Sequence, residues 1–165
     1  NVIIVTKQGK CICFSEKDVR PMGRIAGGVR AIKLEKDDEV VSMELVEPGQ
    51  ELLVVTGKGY GKRTKVEEYK IQVRGGKGLL TYDKAKFKKT GELVGAMVVD
   101  DDDDVMLINS DGIISRLGRA TQGVKIMNVA DDVNIIALAK VAREEDLEKE
   151  INDDAADDGQ QLELK

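Results

Sequence analysis

The residues in this chain best suited to chemistry are glycines flanked by arginine and lysine. Arg24-Ile25-Ala26-Gly27-Gly28-Val29-Arg30, Gln72-Val73-Arg74-Gly75-Gly76-Lys77-Gly78 and Arg119-Ala120-Thr121-Gln122-Gly123-Val124-Lys125 carry the pattern three times. A guanidinium or ammonium group neutralises a phosphate, and a neighbouring glycine lets the backbone approach and offer an N–H. Arg20, Lys62, Arg63 and Arg116 lie near the same landmarks. The expected nucleic-acid contacts are therefore Arg20, Arg24, Arg30, Lys62, Arg63, Gln72, Arg74, Gly75, Gly76, Lys77, Gly78, Arg116, Arg119 and Lys125. Nothing here resembles a recognition helix, so the contacts expected are to backbone and shape, with little base readout. Solvent-facing charge without function is the plain alternative, but its return at one landmark favours a belt.

Other chemistries fail on composition or spacing. The chain has no histidine, so a Ser-His or Cys-His relay cannot be assembled. Gly57-Lys58-Gly59-Tyr60-Gly61-Lys62 and Gly75-Gly76-Lys77-Gly78 lack the spacing of a nucleotide-binding loop, and they lie between expected strands rather than before a helix. Asp100 to Asp104 are consecutive, whereas a calcium loop spaces its ligands around a turn glycine. A solvated hairpin between Val98-Val99 and Val105-Met106 is expected there, its like charges discouraging edge-to-edge pairing. Cys11 and Cys13 share one face of a strand and read as small apolar side chains in a reducing compartment. No catalytic residue and no metal ligand is expected in this chain.

The elements that carry these residues repeat. Val2-Ile3-Ile4-Val5-Thr6-Lys7-Gln8-Gly9, Leu52-Leu53-Val54-Val55-Thr56-Gly57-Lys58-Gly59 and Val105-Met106-Leu107-Ile108-Asn109-Ser110-Asp111-Gly112 are apolar runs closed by a polar turn with glycine in the same place. Apolar segments near Val40-Val41, Leu93-Val94 and Ile135-Ile136 close each unit. Each unit reads as about four short strands, which cannot bury an apolar face alone and must stack on neighbours. The fold class expected is all-β, a propeller-like set of three blades spanning about 1–50, 51–103 and 104–143, followed by an acidic tail at 144–165. Gly9 to Gly28 and Gly59 to Gly78 are both 19 positions apart, but Gly112 and Gly123 only 11. The third unit is thus eight residues short. The shortfall is expected near Ile114-Ser115, as a deletion or, the favoured reading, a disordered loop left out of the numbered chain.

Aromatics are 3% of the 165 residues, so the core must be aliphatic. Net charge is -5, but unevenly placed: residues 144–165 hold ten acids and two lysines, leaving 24 basic against 21 acidic residues in 1–143. A basic body with an acidic tail is a frequent nucleic-acid arrangement. The tail is expected to hold one or two helical turns at 144–151 and disorder from Asp153, and to compete with DNA for the basic rim. No apolar run approaches the ~20 residues that cross a bilayer. The chain has no signal-peptide pattern and no initiator methionine, so it is expected to begin inside a longer chain.

Gln72-Val73-Arg74-Gly75-Gly76-Lys77-Gly78 resembles the Gln-Arg-Arg-Gly-Gly-Lys-Gly box of bacterial DNA gyrase A subunits, with Val73 in place of the first arginine. Val19-Arg20-Pro21-Met22-Gly23-Arg24, Gly59-Tyr60-Gly61-Lys62-Arg63-Thr64, Val98-Val99-Asp100-Asp101-Asp102-Asp103 and Gly118-Arg119-Ala120-Thr121-Gln122-Gly123-Val124 resemble the same C-terminal domain, across nearly all of 1–143. The equivalent domain of topoisomerase IV is the paralogous alternative. The resemblance implies a β-pinwheel of about six blades, with strands exchanged between neighbours and this chain as the second half. Val73 implies that the box is a later copy, the defining one lying elsewhere. Also implied is duplex DNA wrapped around a basic rim to direct strand passage for negative supercoiling. The implied partners are the gyrase B subunit together with the remainder of the gyrase A subunit. ATP and Mg are implied elsewhere in the parent enzyme, and a bacterial cytoplasmic, nucleoid-associated location. A propeller-type protein-interaction domain is the competing class. An incomplete ring of three blades is expected to be marginally stable or to associate.

Overall fold

A computed structural model describes residues 1–118 and 125–141. Within them, three antiparallel sheets follow one plan. In the first, β1 (Val2–Thr6) pairs with β2 (Lys10–Phe14) and with β3 (Val40–Leu45). The second joins β4 (Glu51–Thr56) to β5 (Gly61–Lys65) and β7 (Leu93–Val99). The third joins β8 (Asp104–Asn109) to β9 (Ile114–Gly118) and β10 (Ile135–Val141). The two-residue strand β6 (Leu79–Leu80) belongs by sequence to the second unit, yet it pairs with β2 at the edge of the first sheet. The sheets are the β-propeller-like blades of a pinwheel, with a strand passed between neighbours.

The unbroken apolar runs have a packing explanation. A strand with one wet face alternates polar and apolar residues; one buried on both faces does not. Leu52 and Val54 of β4 join Ile3, Val5, Cys11, Cys13 and Leu93 in one core. Leu53 and Val55, pointing the other way, join Met97, Val99, Val105, Leu107 and Ile135 in the next. The central sheet is therefore apolar on both sides because each side is an interface with a neighbour. The third strands of the sheets also meet: the Ser42 hydroxyl on β3 donates to the Ala96 carbonyl on β7 at 2.6 Å. A Cβ on Gly95 of β7 would stand 2.2 Å from the Leu138 side chain of β10.

Each hairpin turn is closed in the same way. The side-chain oxygens of Thr6, Thr56 and Asn109, all buried, accept from the N–H groups of Lys10 (3.2 Å), Tyr60 (3.2 Å) and Ile113 (2.9 Å). The N–H groups of Gly9, Gly59 and Gly112 close the turns onto the backbone carbonyls of the same residues. A buried hydroxyl or amide at the end of an apolar run is thus satisfied locally, and the turn is stiffened.

The outer faces of the end sheets are less covered. Segment 19–32 folds over the first sheet, where Ile32 meets Ile4, Ile12 and Phe14. Met43 and Leu45 on β3, and Ile114 and Ile136 on the third sheet, remain exposed.

Two expectations need correction. The Asp100–Asp103 turn is not simply solvated. Asp103 is 2% exposed, accepts the Asp100 N–H at 2.8 Å and pairs with Lys140 at 2.6 Å. The shortfall of the third unit does not fall near Ile114-Ser115, because β9 is formed there and pairs along β8 from Ile108↔Ile114 to Asp104↔Gly118. From Lys65, at the end of β5, to Thr81 is 16 positions; from Gly118, at the end of β9, to its counterpart Ile126 is eight. The shortfall lies after β9. The expected helical turns and disorder of the tail lie outside the described residues.

Candidate nucleic-acid interface

The box motif continues into a strap that one unit lays on the turn of the unit before it. Thr81 and Tyr82 donate their N–H groups to the Gly9 carbonyl at 2.9 and 3.2 Å. Ile126 and Met127 donate to the Gly59 carbonyl at 2.7 and 3.1 Å. The same joint thus appears at both junctions. Its close approach explains the turn glycine: a Cβ on Gly9 would lie 2.5 Å from the Tyr82 carbonyl oxygen, and one on Gly59 2.2 Å from that of Met127. Both also have positive φ, +83° and +77°, a conformation costly for other residues. The first strap is pinned further by a buried 2.6 Å hydrogen bond between the Tyr69 and Thr81 hydroxyls.

Within the box, the structure revises the role expected of glycine. Gly75 donates its N–H to the Ala31 carbonyl at 2.7 Å, and Gly76 donates to Val73 at 3.3 Å. These N–H groups are already used, so they are not open phosphate ligands. Gly78 is required by packing: its φ is +71° and a Cβ there would lie 2.5 Å from the Cys11 carbonyl oxygen. Gln72 uses its backbone N–H on the Cys13 carbonyl at 2.8 Å. The glycines bring the box down onto β2 and onto segment 30–33, where Lys33 donates to the Gly76 carbonyl at 2.8 Å.

The basic residues divide into three groups. Arg20, Arg24, Arg30, Lys77 and Lys125 are exposed and make no ion pair among the described residues. Arg74 and Lys62 are held by carbonyls. Arg74 donates to Arg30 O (2.6 Å) and Asp18 O (3.2 Å), and the Lys62 ammonium to Thr81 O (3.3 Å). Carbonyl anchoring fixes the side chain and keeps its full charge, and Arg74 has donors to spare. This anchoring also brings Arg74 beside Arg30, joining two of the sequence landmarks. In the third group the charge is spent. Arg63, its side chain 7% exposed, pairs with Glu51 and with Asp101 at 2.9 Å. Arg116 bonds Asp104 at 2.7 Å. Arg63 therefore departs from the expected belt, because strand pairing sets it between two carboxylates. Arg119 lies outside the described residues.

Lysines missed by the sequence reading stand at the junctions. At the first, Glu35 lies between Lys10 and Lys84, bonded to Lys84 at 2.8 Å, and Lys84 also donates to Gln8 Oε1 at 2.9 Å. Hydrogen bonds from Lys10 and then Lys84 hold the Glu35 carboxyl down to about 2, from an ordinary 4.5. At the second, Lys58, Lys88, Lys89 and Lys125 border a notch of about 300 Å³. Lys58 falls in the turn and Lys88 and Lys89 in the one-turn helix Phe87–Thr90 before β7, all three outside the arginine-glycine landmarks, whereas Lys125 closes the third landmark and is among the expected contacts. Only the fold shows their convergence.

The DNA gyrase C-terminal domain, beta-propeller, family model matches residues 1–47, 50–100 and 114–142. The DNA gyrase A subunit of Mycolicibacterium smegmatis is 41% identical across 95% of this chain, and that of Campylobacter jejuni 40% across 91%. The chain spans about a fifth of the length of these relatives. A solved DNA gyrase A C-terminal domain superposes with a TM-score of 0.76 at 29% identity, over 86% of this chain and 50% of that one. The topoisomerase IV C-terminal domain shares the fold, at a TM-score of 0.77 and 24% identity, over 90% of this chain and 48% of that one. With the strap-on-turn joint, the repeated hairpins and these likenesses in agreement, the chain belongs to the DNA gyrase C-terminal domain family, as part of its β-propeller.

Proposed function

We propose that this chain binds duplex DNA through its backbone and bends it around the blades, as the wrapping module of a type IIA topoisomerase that introduces negative supercoils. The observation that carries the reading is the strap-on-turn joint. The joint repeats at both junctions, which supports reading the exposed cations of successive units as parts of one row. Arg20, Arg24, Arg30, Lys62, Arg74, Lys77 and Lys125 are its exposed or carbonyl-anchored members. Phosphate neutralisation by such a row is indifferent to sequence and releases counterions. On this reading the chain works in the bacterial cytoplasm with the gyrase B subunit, joined to the remainder of the gyrase A subunit. The strand-passage chemistry, its ATP and its Mg belong to other parts of that enzyme, and this chain supplies binding and curvature.

Fluorescence anisotropy with a short duplex and one long enough to wrap, across a salt series, tests this. The expected result is sequence-indifferent binding, tighter on the long duplex and falling by orders of magnitude with salt. No binding to either duplex at low salt would favour a protein-interaction role for the blades.

A further inference from the structure

The two junctions share a backbone design but differ in charge. The segment before the third strand of each unit meets the hairpin turn through a corresponding backbone hydrogen bond: Lys7 N–H to Glu39 O at 2.8 Å in the first unit, Gly57 N–H to Glu92 O at 2.9 Å in the second. Counting back four residues from each acceptor puts Glu35 and Lys88 in corresponding places. In the first junction Glu35 offers one carboxylate oxygen to Lys10 and the other to Lys84. Two anionic oxygens shared between two ammonium groups is also how a phosphodiester engages lysines. In the second junction the corresponding residue adds a positive charge.

The lysines of the second junction are arranged to receive an anion. The Lys58 ammonium donates to the backbone carbonyls of Asp131 and of Val133, the latter at 3.1 Å. Two of its three donors are thereby fixed and the third remains. Lys89 lies over the Tyr60 ring, 5.8 Å from its centroid, which restrains a flexible side chain. Lys125 is tied to the same turn by a backbone bridge with Tyr60. Asp131 also borders the notch, but its carboxylate forms no ion pair with any of the four lysines among the described residues. Four ammonium groups border the notch against one unpaired carboxylate, and an incoming anion offsets the excess positive charge.

We propose that the notch between the second and third sheets seats a phosphodiester group of the DNA backbone, contacted by Lys58, Lys88, Lys89 and Lys125. This rests on the DNA-binding reading above and adds to it a specific register. The duplex is gripped at the second junction, while the first is closed by its own carboxylate, so the two junctions contribute unequally to the wrap.

The test is the salt dependence of binding to the long duplex for the 165-residue chain and three variants. Lys88→Glu recreates the charge of Glu35, and Lys89→Glu alters its neighbour. Lys36→Glu makes the same change as Lys89→Glu at the corresponding place of the closed junction. Lys88→Glu and Lys89→Glu are each expected to weaken binding about tenfold and to lower the slope of log K against log salt by about one, the signature of a lost phosphate contact. Lys36→Glu is expected to leave the slope unchanged. Equal slopes for all four proteins would overturn the notch while leaving DNA binding intact, as would an equal fall in all three variants, which would make net charge the sole cause. A parent chain that binds no duplex would remove the notch together with the function it rests on.

Discussion

At the junction of the first and second sheets a carboxylate sits between two ammonium groups; at the junction of the second and third the corresponding residue is a lysine. The backbones of the two joints are nearly superimposable in their hydrogen bonding. Each has a strap donating twice to a turn glycine, a loop carbonyl accepting from the turn, and a buried hydroxyl closing the hairpin. The joints therefore share an architecture held by the main chain, on which the side chains are free to differ. Repetition of fold does not entail repetition of surface. A row of structurally equivalent positions can be partly neutralised at one blade and more strongly basic at the next, because the joint is secured by backbone groups and glycine.

The largest effects should come from breaking the shared part. Gly9→Ala and Gly59→Ala each force a Cβ into a strap carbonyl at a positive φ. Each should cost more than about 1 kcal/mol in urea unfolding, and by similar amounts. A large loss at one junction and none at the other would end the claim that the joints are equivalent. Next in size is the unshared part. Glu35→Gln leaves Lys10 and Lys84 without their counter-charge, and DNA affinity at low salt should rise several-fold, against the loss expected for Lys88→Glu. An unchanged affinity would show that the first junction lies off the DNA path.

Smaller again is a shift in titration. The Glu35 carboxyl, held at about 2, should stay ionised through pH 4 by carbon-detected NMR and move back towards 4.5 in Lys84→Ala. Because its folded value is depressed, whatever this contact contributes to stability is complete above the unfolded value and is lost only as the pH falls towards 2. Solvent exposure keeps that contribution small.

The subtlest measurement reports on the strap itself. Cys11 pairs with Leu79 of β6, and its carbonyl touches Gly78. Burial pushes its thiol up to about 12, so it should remain unreactive to a thiol reagent at pH 8. Gly78→Ala should make it reactive by lifting the strap, which would distinguish local detachment from global unfolding when paired with circular dichroism.

Much of this was legible from residue order alone. The runs beginning at Val2, Leu52 and Val105, with glycine at 9, 59 and 112, marked the hairpins, because a tight turn leaves a local imprint on composition. The box marked the strap, although the N–H groups of Gly75 and Gly76 are taken by the Ala31 and Val73 carbonyls. What residue order did not disclose was pairing at a distance. Arg63 looked like a candidate contact until β5 set it beside Glu51. Asp103 looked solvated until β10 brought Lys140 to it. Lys58, Lys88 and Lys125 are separated by up to 67 positions and share no motif.

The chain's repeating polymer pattern thus determined that there would be three hairpin-based units with aliphatic interfaces and a basic, glycine-marked landmark in each. Only the tertiary structure decided which charges are neutralised and which stand open. Strand formation depends on neighbours along the chain, whereas the environment of a charged side chain depends on which distant segment folds against it, and a Coulomb interaction is set by that distance and by the water left between.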